Sequence, residues 1–190
     1  MTTVDETRPG RPLRADARRN RERVLAAARE TFAEVGPDAS LNAIARRAGV
    51  GPGTLYRHFP TRQALLGAVL ADRVERLCAR ADQLIASDSP GGALSGWLRA
   101  FLDHAGSDHG LGGAALAEPA DLGPDCHAMI REAAGRVLAR AQRAGAARPD
   151  VTAADMMQLV VGVALATGGP AGDPAQPGRL LALVEDALRP

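Results

Sequence analysis

Polar side chains suited to contacts with phosphates and base edges are concentrated between positions 54 and 62. Thr54 and Tyr56 carry hydroxyl groups, while Arg57 and His58 carry a guanidinium and an imidazole. Arg62 adds a second guanidinium four residues later. A guanidinium fork matches phosphate oxygens and the acceptor edge of guanine, and hydroxyl groups commonly fix a backbone contact. These types and spacings predict a nucleic-acid contact surface, provided that the fold exposes the side chains together.

The elements that must position this polar group have the pattern of a helix-turn-helix. Apolar residues at i, i+3, i+4 and i+7 predict a short helix with one buried face, made of Leu41, Ile44, Ala45 and Ala48. Ser40 is a suitable N-cap for that helix, and Gly49 suits the left-handed turn that ends it. Pro52 opens a second short helix with Leu55 on its buried side, and Pro60 ends it. The polar group then lies on the outward side of the second helix, which is the side that reads a major groove.

The rest of the sequence predicts an all-α chain, because aromatic residues make up only 3% and good helix formers dominate. Helices are expected over about residues 16–35, 61–87, 94–105, 125–144, 152–166 and 179–188, with a shorter one near 113–118. The first helix is expected to bury a face made of Leu25, Ala28, Phe32 and Val35. Thr61 is positioned to cap the fourth helix, and Thr152 with Asp155 forms a capping-box pattern.

Charge is divided unevenly along the chain. Residues 1–62 carry twelve arginines against seven acidic residues, a net charge of +5, whereas residues 63–190 carry a net charge of −4. This asymmetry is typical of a basic DNA-binding head on a separate body. We therefore expect a disordered arm at 1–14, a DNA-binding domain at 15–60 and a helical domain at 61–190. Cys78 and Cys126 are isolated, and the sequence has neither a signal peptide nor a membrane-spanning run, so we expect a cytoplasmic chain.

Two segments carry a specific resemblance to a known family. One runs from Ile44 to Leu66 and contains Gly-Thr-Leu-Tyr-Arg-His-Phe shortly after Ala-Gly-Val, and the other is Val24–Gly36. Together they resemble the TetR family of tetracycline-repressor-like regulators. The resemblance implies a three-helix DNA-binding domain joined by a long fourth helix to a helical domain that binds a ligand and dimerises.

Matched position by position, the resemblance implies roles for individual residues. Tyr56, His58 and Arg62 align with positions that contact DNA phosphates in the family. Places where the recognition helix approaches bases or phosphates are matched by Gly53, Thr54 and Arg57. Asn42 matches a place that sometimes touches a base edge, and Arg46 joins these candidates although Arg46 and Arg47 also fit a solvated face. The chain departs from the family at Gly51, where Ser or Thr is common, and has Arg62 in place of the usual lysine.

The helix predicted over 152–166 is apolar nearly all round, which indicates burial on more than one side. A second copy of the chain is the expected cover, and the family resemblance implies the same. The predicted homodimer interface consists of Met157, Val160, Val161, Ala164, Leu181 and Val184. Core packing within one chain is the alternative explanation. Two recognition helices related by a two-fold axis would read a near-palindromic operator in double-stranded DNA.

A ligand pocket is the least specified part of the sequence. Candidate lining residues, each equally compatible with plain core packing, are Trp97, Phe101, Met129 and Met156. Metal sensing is a weaker alternative, because no established ligand spacing is matched by Asp103, His104, Asp108, His109, Cys126 and His127. We expect no metal and no cofactor. An enzyme is not expected, since no nucleophile–base pair or phosphate-binding loop is present and the Gly-rich segment 110–113 lacks a preceding strand.

The sequence as a whole predicts a dimeric repressor of a palindromic operator that a small apolar ligand releases. The alternative is a regulator of the same type that has no small ligand and is controlled by a protein partner.

Overall fold

The computed structural model of the chain describes residues 11–87, 89–106, 125–168 and 173–190, with side chains from residue 15 onward. Within these ranges the chain forms only α-helices: α1 (Arg11–Val35), α2 (Leu41–Arg47), α3 (Pro52–His58), α4 (Arg62–Ser87), α5 (Pro90–Gly106), α6 (Cys126–Arg143), α7 (Ala153–Thr167) and α8 (Gln176–Ala187). The predicted all-α class is confirmed. None of these helices is long and apolar enough to span a bilayer. The short helix predicted near 113–118 lies outside the described residues.

The helices belong to two compact units that divide between Val69 and Leu70. In the first unit α1 packs against α2 and α3, and α2 packs against α3. Its core is closed by fully buried side chains, among them Val24, Ile44, Leu55, Leu65 and Val69. Because α1, α2 and α3 all contact one another there, α2 is held by α1 and α3, and α3 is held by α1 and α2.

The second unit is built around α5, which contacts α6, α7 and α8. Helices α6 and α7 also contact each other, as do α7 and α8. The largest side chains of this unit that are almost completely buried are Trp97, Leu98, Met156, Val137 and Val160. Trp97 stacks on Phe101 with ring centroids 5.2 Å apart, which fills the centre of α5 with aromatic surface.

Several helix ends follow the sequence signals. Thr61 Oγ1 accepts a hydrogen bond from the Ala64 N–H at 3.0 Å, so the predicted cap of α4 is confirmed. The capping box of α7 is also confirmed, because Thr152 Oγ1 accepts from the Asp155 N–H at 3.2 Å and Asp155 accepts from the Thr152 N–H at 3.0 Å. Ser40 occupies the N-cap position of α2 as expected, but its side chain makes no capping hydrogen bond, so the expected side-chain cap is wrong.

Two expectations about α1 were wrong. The helix begins at Arg11 and not near Asp16. Val35, expected on the buried face, is 67% exposed. It is the last residue of α1, and the chain turns immediately at Gly36, whose φ is 86°, so Val35 lies beyond the face that α2 and α3 cover.

The α2–α3 turn depends on Gly49, which has a φ of 64°. The Gly49 N–H donates to the Arg46 carbonyl and the Val50 N–H donates to the Ala45 carbonyl, both at 3.0 Å. This pair of bonds is the Schellman pattern that ends a helix in the left-handed region. From α1, Arg23 Nη2 donates to the Gly49 carbonyl at 3.0 Å. A Cβ added at Gly49 would collide with that same nitrogen and displace the flexible Arg23 side chain, while the positive φ of the backbone is what requires glycine there.

Gly49→Ala is expected to lower the free energy of unfolding by about 1–2 kcal/mol, because an L-residue is strained in this conformation. Its Cβ would also displace Arg23 from the Gly49 carbonyl. The matched control is Gly53→Ala, where no atom lies within 4 Å of the added Cβ. Chemical denaturation followed by circular dichroism should give Gly53→Ala a stability equal to or slightly above the parent's. Equal losses for both variants would contradict the special role of Gly49.

Candidate DNA-binding surface

All eight candidate DNA-contact residues lie in the first unit, on α2, on α3 or at the first residue of α4. Those that the structure exposes are Asn42, Arg46, Gly53, Tyr56 and Arg57, and those that are half-buried are Thr54, His58 and Arg62. The opposite sides of the same helices carry Ile44 and Leu55, which are fully buried. The first unit therefore has the predicted division into a buried apolar side and an outward polar side.

On α3, Arg57 folds back along its own helix. Arg57 Nε donates to the Gly53 carbonyl at 3.1 Å, and Arg57 Nη2 lies 3.4 Å from Thr54 Oγ1. Tyr56, on the same helix, is 45% exposed. Helix α3 thus exposes the Tyr56 side chain and one guanidinium, that of Arg57, which is bonded only to its own helix.

Arg62 has internal contacts that the sequence did not predict. Its Nη1 donates to the Pro37 carbonyl at 2.8 Å and to the Ala39 carbonyl at 2.7 Å. Both acceptors belong to the loop between α1 and α2, where backbone carbonyls lack helical partners. Arg62 therefore joins the start of α4 to the segment that leads into α2, a positioning role that competes with a phosphate contact.

Arg46 and Arg47 are neighbours with different surroundings. Arg47 donates from Nη1 and Nη2 to the two carboxylate oxygens of Glu34, at 2.5 and 2.7 Å, and its Nε lies 3.0 Å from Glu30 Oε2. These bonds hold the pKa of the Glu34 carboxyl below its ordinary value. Arg46 is exposed and has no ion pair with any residue that the structure describes. Of the two, Arg47 is the one held by ion pairs within the first unit.

Two arginines of α1 also contribute to the helix-turn-helix. Arg23 bonds to the Gly49 carbonyl, and Arg21 lies with its guanidinium carbon 5.4 Å from the centroid of the Phe59 ring. A cation over an aromatic face is attracted by the ring's quadrupole, so Arg21 helps to fix the end of α3. Sequence reasoning missed both roles because a surface arginine on a helix has no local signal for its partner 26 or 38 residues away.

The residues predicted to line a ligand pocket are mostly core. Trp97 and Met156 are fully buried, Phe101 is 4% exposed, and Met129 is half-buried against the same cluster. Phe101, which stacks on Trp97, also stacks on His104, with ring centroids 6.3 Å apart. Neither a cavity between α5 and α8 nor a groove between α7 and α8 is lined by any of the four predicted residues.

The predicted interface residues divide into two groups. Four of them are buried within their own chain: Val160, Ala164, Leu181 and Val184. They face inward because α7 and α8 pack on α5 with this side, so their burial needs no second copy. Met157 is half-buried and Val161 is 37% exposed. Large apolar side chains that sequence reasoning left out are instead exposed on these helices, namely Leu159, Leu165 and Leu183.

Of the residues weighed as metal ligands, Asp108 and His109 lie outside the described ranges. Within those ranges no three His, Cys, Asp or Glu side chains come together as a group that would hold an ion.

Two family models match the chain. The model for bacterial regulatory proteins of the tetR family matches residues 24–69, and the model for the C-terminal domain of SbtR-like transcriptional regulators matches residues 89–190. A curated relative, the HTH-type transcriptional regulator UidR of Escherichia coli (strain K12), is 42% identical over 69 residues. That match covers 36% of this chain and 35% of UidR, so it spans about a third of the curated relative's length.

Solved structures match over nearly the whole chain. The TetR transcriptional regulator SCO0520 from Streptomyces coelicolor has 42% identity and a TM-score of 0.80, and the match covers 90% of this chain and 98% of that one. A TetR transcription regulatory protein from Mycobacterium vanbaalenii has 43% identity and a TM-score of 0.78, with 94% and 100% covered. These relatives are regulators of transcription and not enzymes. The chain belongs to the TetR family of DNA-binding transcriptional regulators.

Proposed function

We propose that this chain represses transcription in the cytoplasm as a homodimer that binds a near-palindromic operator and leaves it when a small apolar ligand binds. The proposal rests on two exposed surfaces of different chemistry. One is the exposed polar face of α2 and α3, and the other is an exposed apolar face of α7 and α8. The first surface fits double-stranded DNA, and the second fits another copy of the same chain.

For the DNA contacts, the side chains that are exposed and lack strong internal partners rank first. Arg46 and Tyr56 meet this criterion, and Arg57 needs only to give up weak bonds to its own helix. Asn42 and Gly53 are exposed beside them, and Gly53 allows close approach of the backbone. Thr54 and His58 add half-buried polar groups to the same face. In this proposal Arg62 acts mainly by holding the loop before α2, and its unused guanidinium nitrogens are secondary phosphate contacts.

For the dimer, the apolar face has both projecting residues and a groove. The large apolar side chains exposed on it are Leu159 (48%), Val161 (37%), Leu165 (62%) and Leu183 (63%). The adjacent groove is lined by six small or apolar residues (Leu159, Gly162, Val163, Ala166, Leu180 and Val184) and by two polar ones, Asp155 and Gln158. Exposed apolar patches of this kind are uncommon on monomers. A two-fold contact would let the projecting leucines of each copy enter the groove of the other.

For the ligand, support comes from one polar atom in the core. Trp97 is fully buried, and its Nε1 has no hydrogen-bond partner among the described residues. A buried N–H without an acceptor costs about 1–3 kcal/mol. A mostly apolar ligand with one acceptor oxygen beside the indole would relieve that cost. Its binding would favour one arrangement of the dimer by no more than its difference in affinity for the two arrangements.

A second candidate function is a regulator controlled by a protein partner without a small ligand. It is favoured by the complete burial of Trp97 and Met156, which leaves neither side chain accessible to a solute without rearrangement.

The experiment that tests the proposal is affinity selection of fragmented genomic DNA by the purified chain, followed by footprinting and a salt series on the best fragment. We expect a near-palindromic site whose affinity falls steeply as salt rises, because several phosphates are neutralised in each half-site. A change of Trp97 fluorescence with added apolar compounds, parallel to release of DNA, would support the ligand. Recovery of weak, sequence-independent binding alone would contradict operator recognition.

Arg46→Ala and Arg47→Ala should have different effects. We expect Arg46→Ala to reduce the slope of log affinity against log salt by about 2 for the dimer, with unchanged thermal stability, because it removes one phosphate contact in each half-site. Arg47→Ala should mainly lower stability, since it breaks the pair with Glu34. That contribution is present above the ordinary carboxyl pKa and is lost as pH falls through the lowered pKa of Glu34, so the stability difference should shrink in acid. Identical effects of the two variants on DNA affinity would refute this division.

Leu183→Arg is expected to weaken dimerisation by at least about 100-fold, because two-fold symmetry introduces the buried charge twice in one interface. Val35→Arg is the matched control, since Val35 is exposed to a similar degree (67% against 63%) and also lies near the C-terminal end of a helix. Sedimentation velocity over a range of concentrations measures both. An unaltered dimer for Leu183→Arg would remove α8 from the interface.

A further inference from the structure

The only two cysteines of the chain are 48 positions apart in the sequence, and both lie where α4 meets α6. Cys78 is in the middle of α4 and Cys126 is the first residue of α6, and both belong to the second unit. Both side chains pack against the apolar core of this unit, but neither residue is fully buried. Each cysteine therefore remains partly accessible to a small solute, and neither is in a disulfide.

A hydrogen bond between the helices brings the Cys78 thiol close to the turn that contains Cys126. The thiol donates to the Met129 carbonyl, with sulfur and oxygen 3.6 Å apart. Met129 follows Cys126 by three residues on α6, and helical residues at that spacing are surface neighbours with Cβ atoms about 5–6 Å apart. Further along both helices, Arg136 Nη1 lies 2.7 Å from Asp82 Oδ1 and holds α4 and α6 together. The Cys78 thiol thus lies within one helical turn of Cys126.

The surroundings of the two thiols favour different roles. Burial raises the pKa of the Cys78 thiol, the Arg136 guanidinium opposes this shift, and a negative charge on Cys126 raises that pKa further. Cys126 lies at the N-terminal end of an 18-residue helix, where backbone N–H groups without helical partners favour an anion. Of the two, Cys126 is better placed to react as a thiolate, and Cys78 is better placed to keep its proton until a nearby electrophilic sulfur is available.

We propose that Cys78 and Cys126 form a reversible redox pair that hydrogen peroxide oxidises to an intrachain disulfide. The Cys126 thiolate attacks one peroxide oxygen, so an S–O bond forms while the O–O bond breaks and hydroxide leaves. The Cys78 thiolate then attacks the sulfur of this sulfenic acid, which forms the S–S bond and expels the second oxygen as hydroxide. The protons of the two thiols convert both hydroxides to water, and two electrons pass from the sulfurs to the peroxide.

The fold allows the two helices to close this bond. A disulfide requires the two Cα atoms to come within about 7 Å of each other. Cys126 is in the first turn of α6, and helix ends fray because they have fewer backbone hydrogen bonds than the interior. Since α4 begins in the first unit and carries Cys78 in the second, the bond fastens to α6 the helix that connects the two units. This pair is separate from the polar face of α2 and α3, and it does not rest on the proposed function.

Peptide mass spectrometry of the full chain tests the proposal without DNA. The reduced chain is treated with hydrogen peroxide, its remaining thiols are blocked with iodoacetamide, and it is digested without reductant. We expect one cross-linked peptide that joins Cys78 to Cys126, formed at a rate independent of protein concentration and returned to two thiols by dithiothreitol. The oxidised chain should also melt at a higher temperature than the reduced chain, because the bridge restricts the unfolded state.

Two matched variants separate the roles of the thiols. In Cys78→Ser the Cys126 sulfenic acid has no second thiol to attack it, so it should accumulate and react with dimedone. In Cys126→Ser the Cys78 thiol should remain open to alkylation after the same exposure to peroxide. The measurement on the parent chain stands even if a variant folds poorly. The proposal is overturned if the parent keeps both thiols, if its disulfide joins two chains, or if dimedone labels both variants equally.

Discussion

At Gly49 the backbone enters the left-handed region, and the relative orientation of α2 and α3 depends on that turn. Two backbone bonds close the end of α2, and the Arg23 guanidinium holds the turn from α1. With the turn in this state, Ile44 and Leu55 reach the same core and the polar face of α3 remains outside. A residue with a Cβ would strain the backbone at this turn and displace the Arg23 guanidinium from the Gly49 carbonyl.

Arginine serves two purposes in the first unit, and its surroundings decide between them. Arg21, Arg23, Arg47 and Arg62 contact a ring, backbone carbonyls or carboxylates of the same unit, whereas Arg46 faces solvent without an ion pair in the described part of the chain. The planar guanidinium suits both purposes, because its fork can join two carbonyls as well as two phosphate oxygens. A count of basic residues therefore overstates the charge that this unit can offer to DNA.

In the second unit the packing around α5 determines which apolar residues remain exposed. Helix α7 is apolar on both sides, but only the side with Met156, Val160 and Ala164 reaches the core. The other side leaves Leu159 and Leu165 exposed beside a groove with α8. This division connects the proposed dimer to the fold, since the same helix contributes one face to the core and a different face to a partner.

The sequence alone determined the fold class, the helix-turn-helix and the family, because these depend on local signals: apolar spacing, the glycine and proline punctuation, the Thr61 cap and the Thr152–Asp155 box. It also identified the set of polar residues on α3, since their exposure follows from the helical period. The tertiary structure decided what depends on distant partners. Arg62 is bound by a loop that lies more than 20 residues before it, and Glu185 of α8 pairs with Arg99 of α5. Which side of α7 is buried also depends on the position of α5. The sequence of α7 could not show this, because the helix is apolar on all sides.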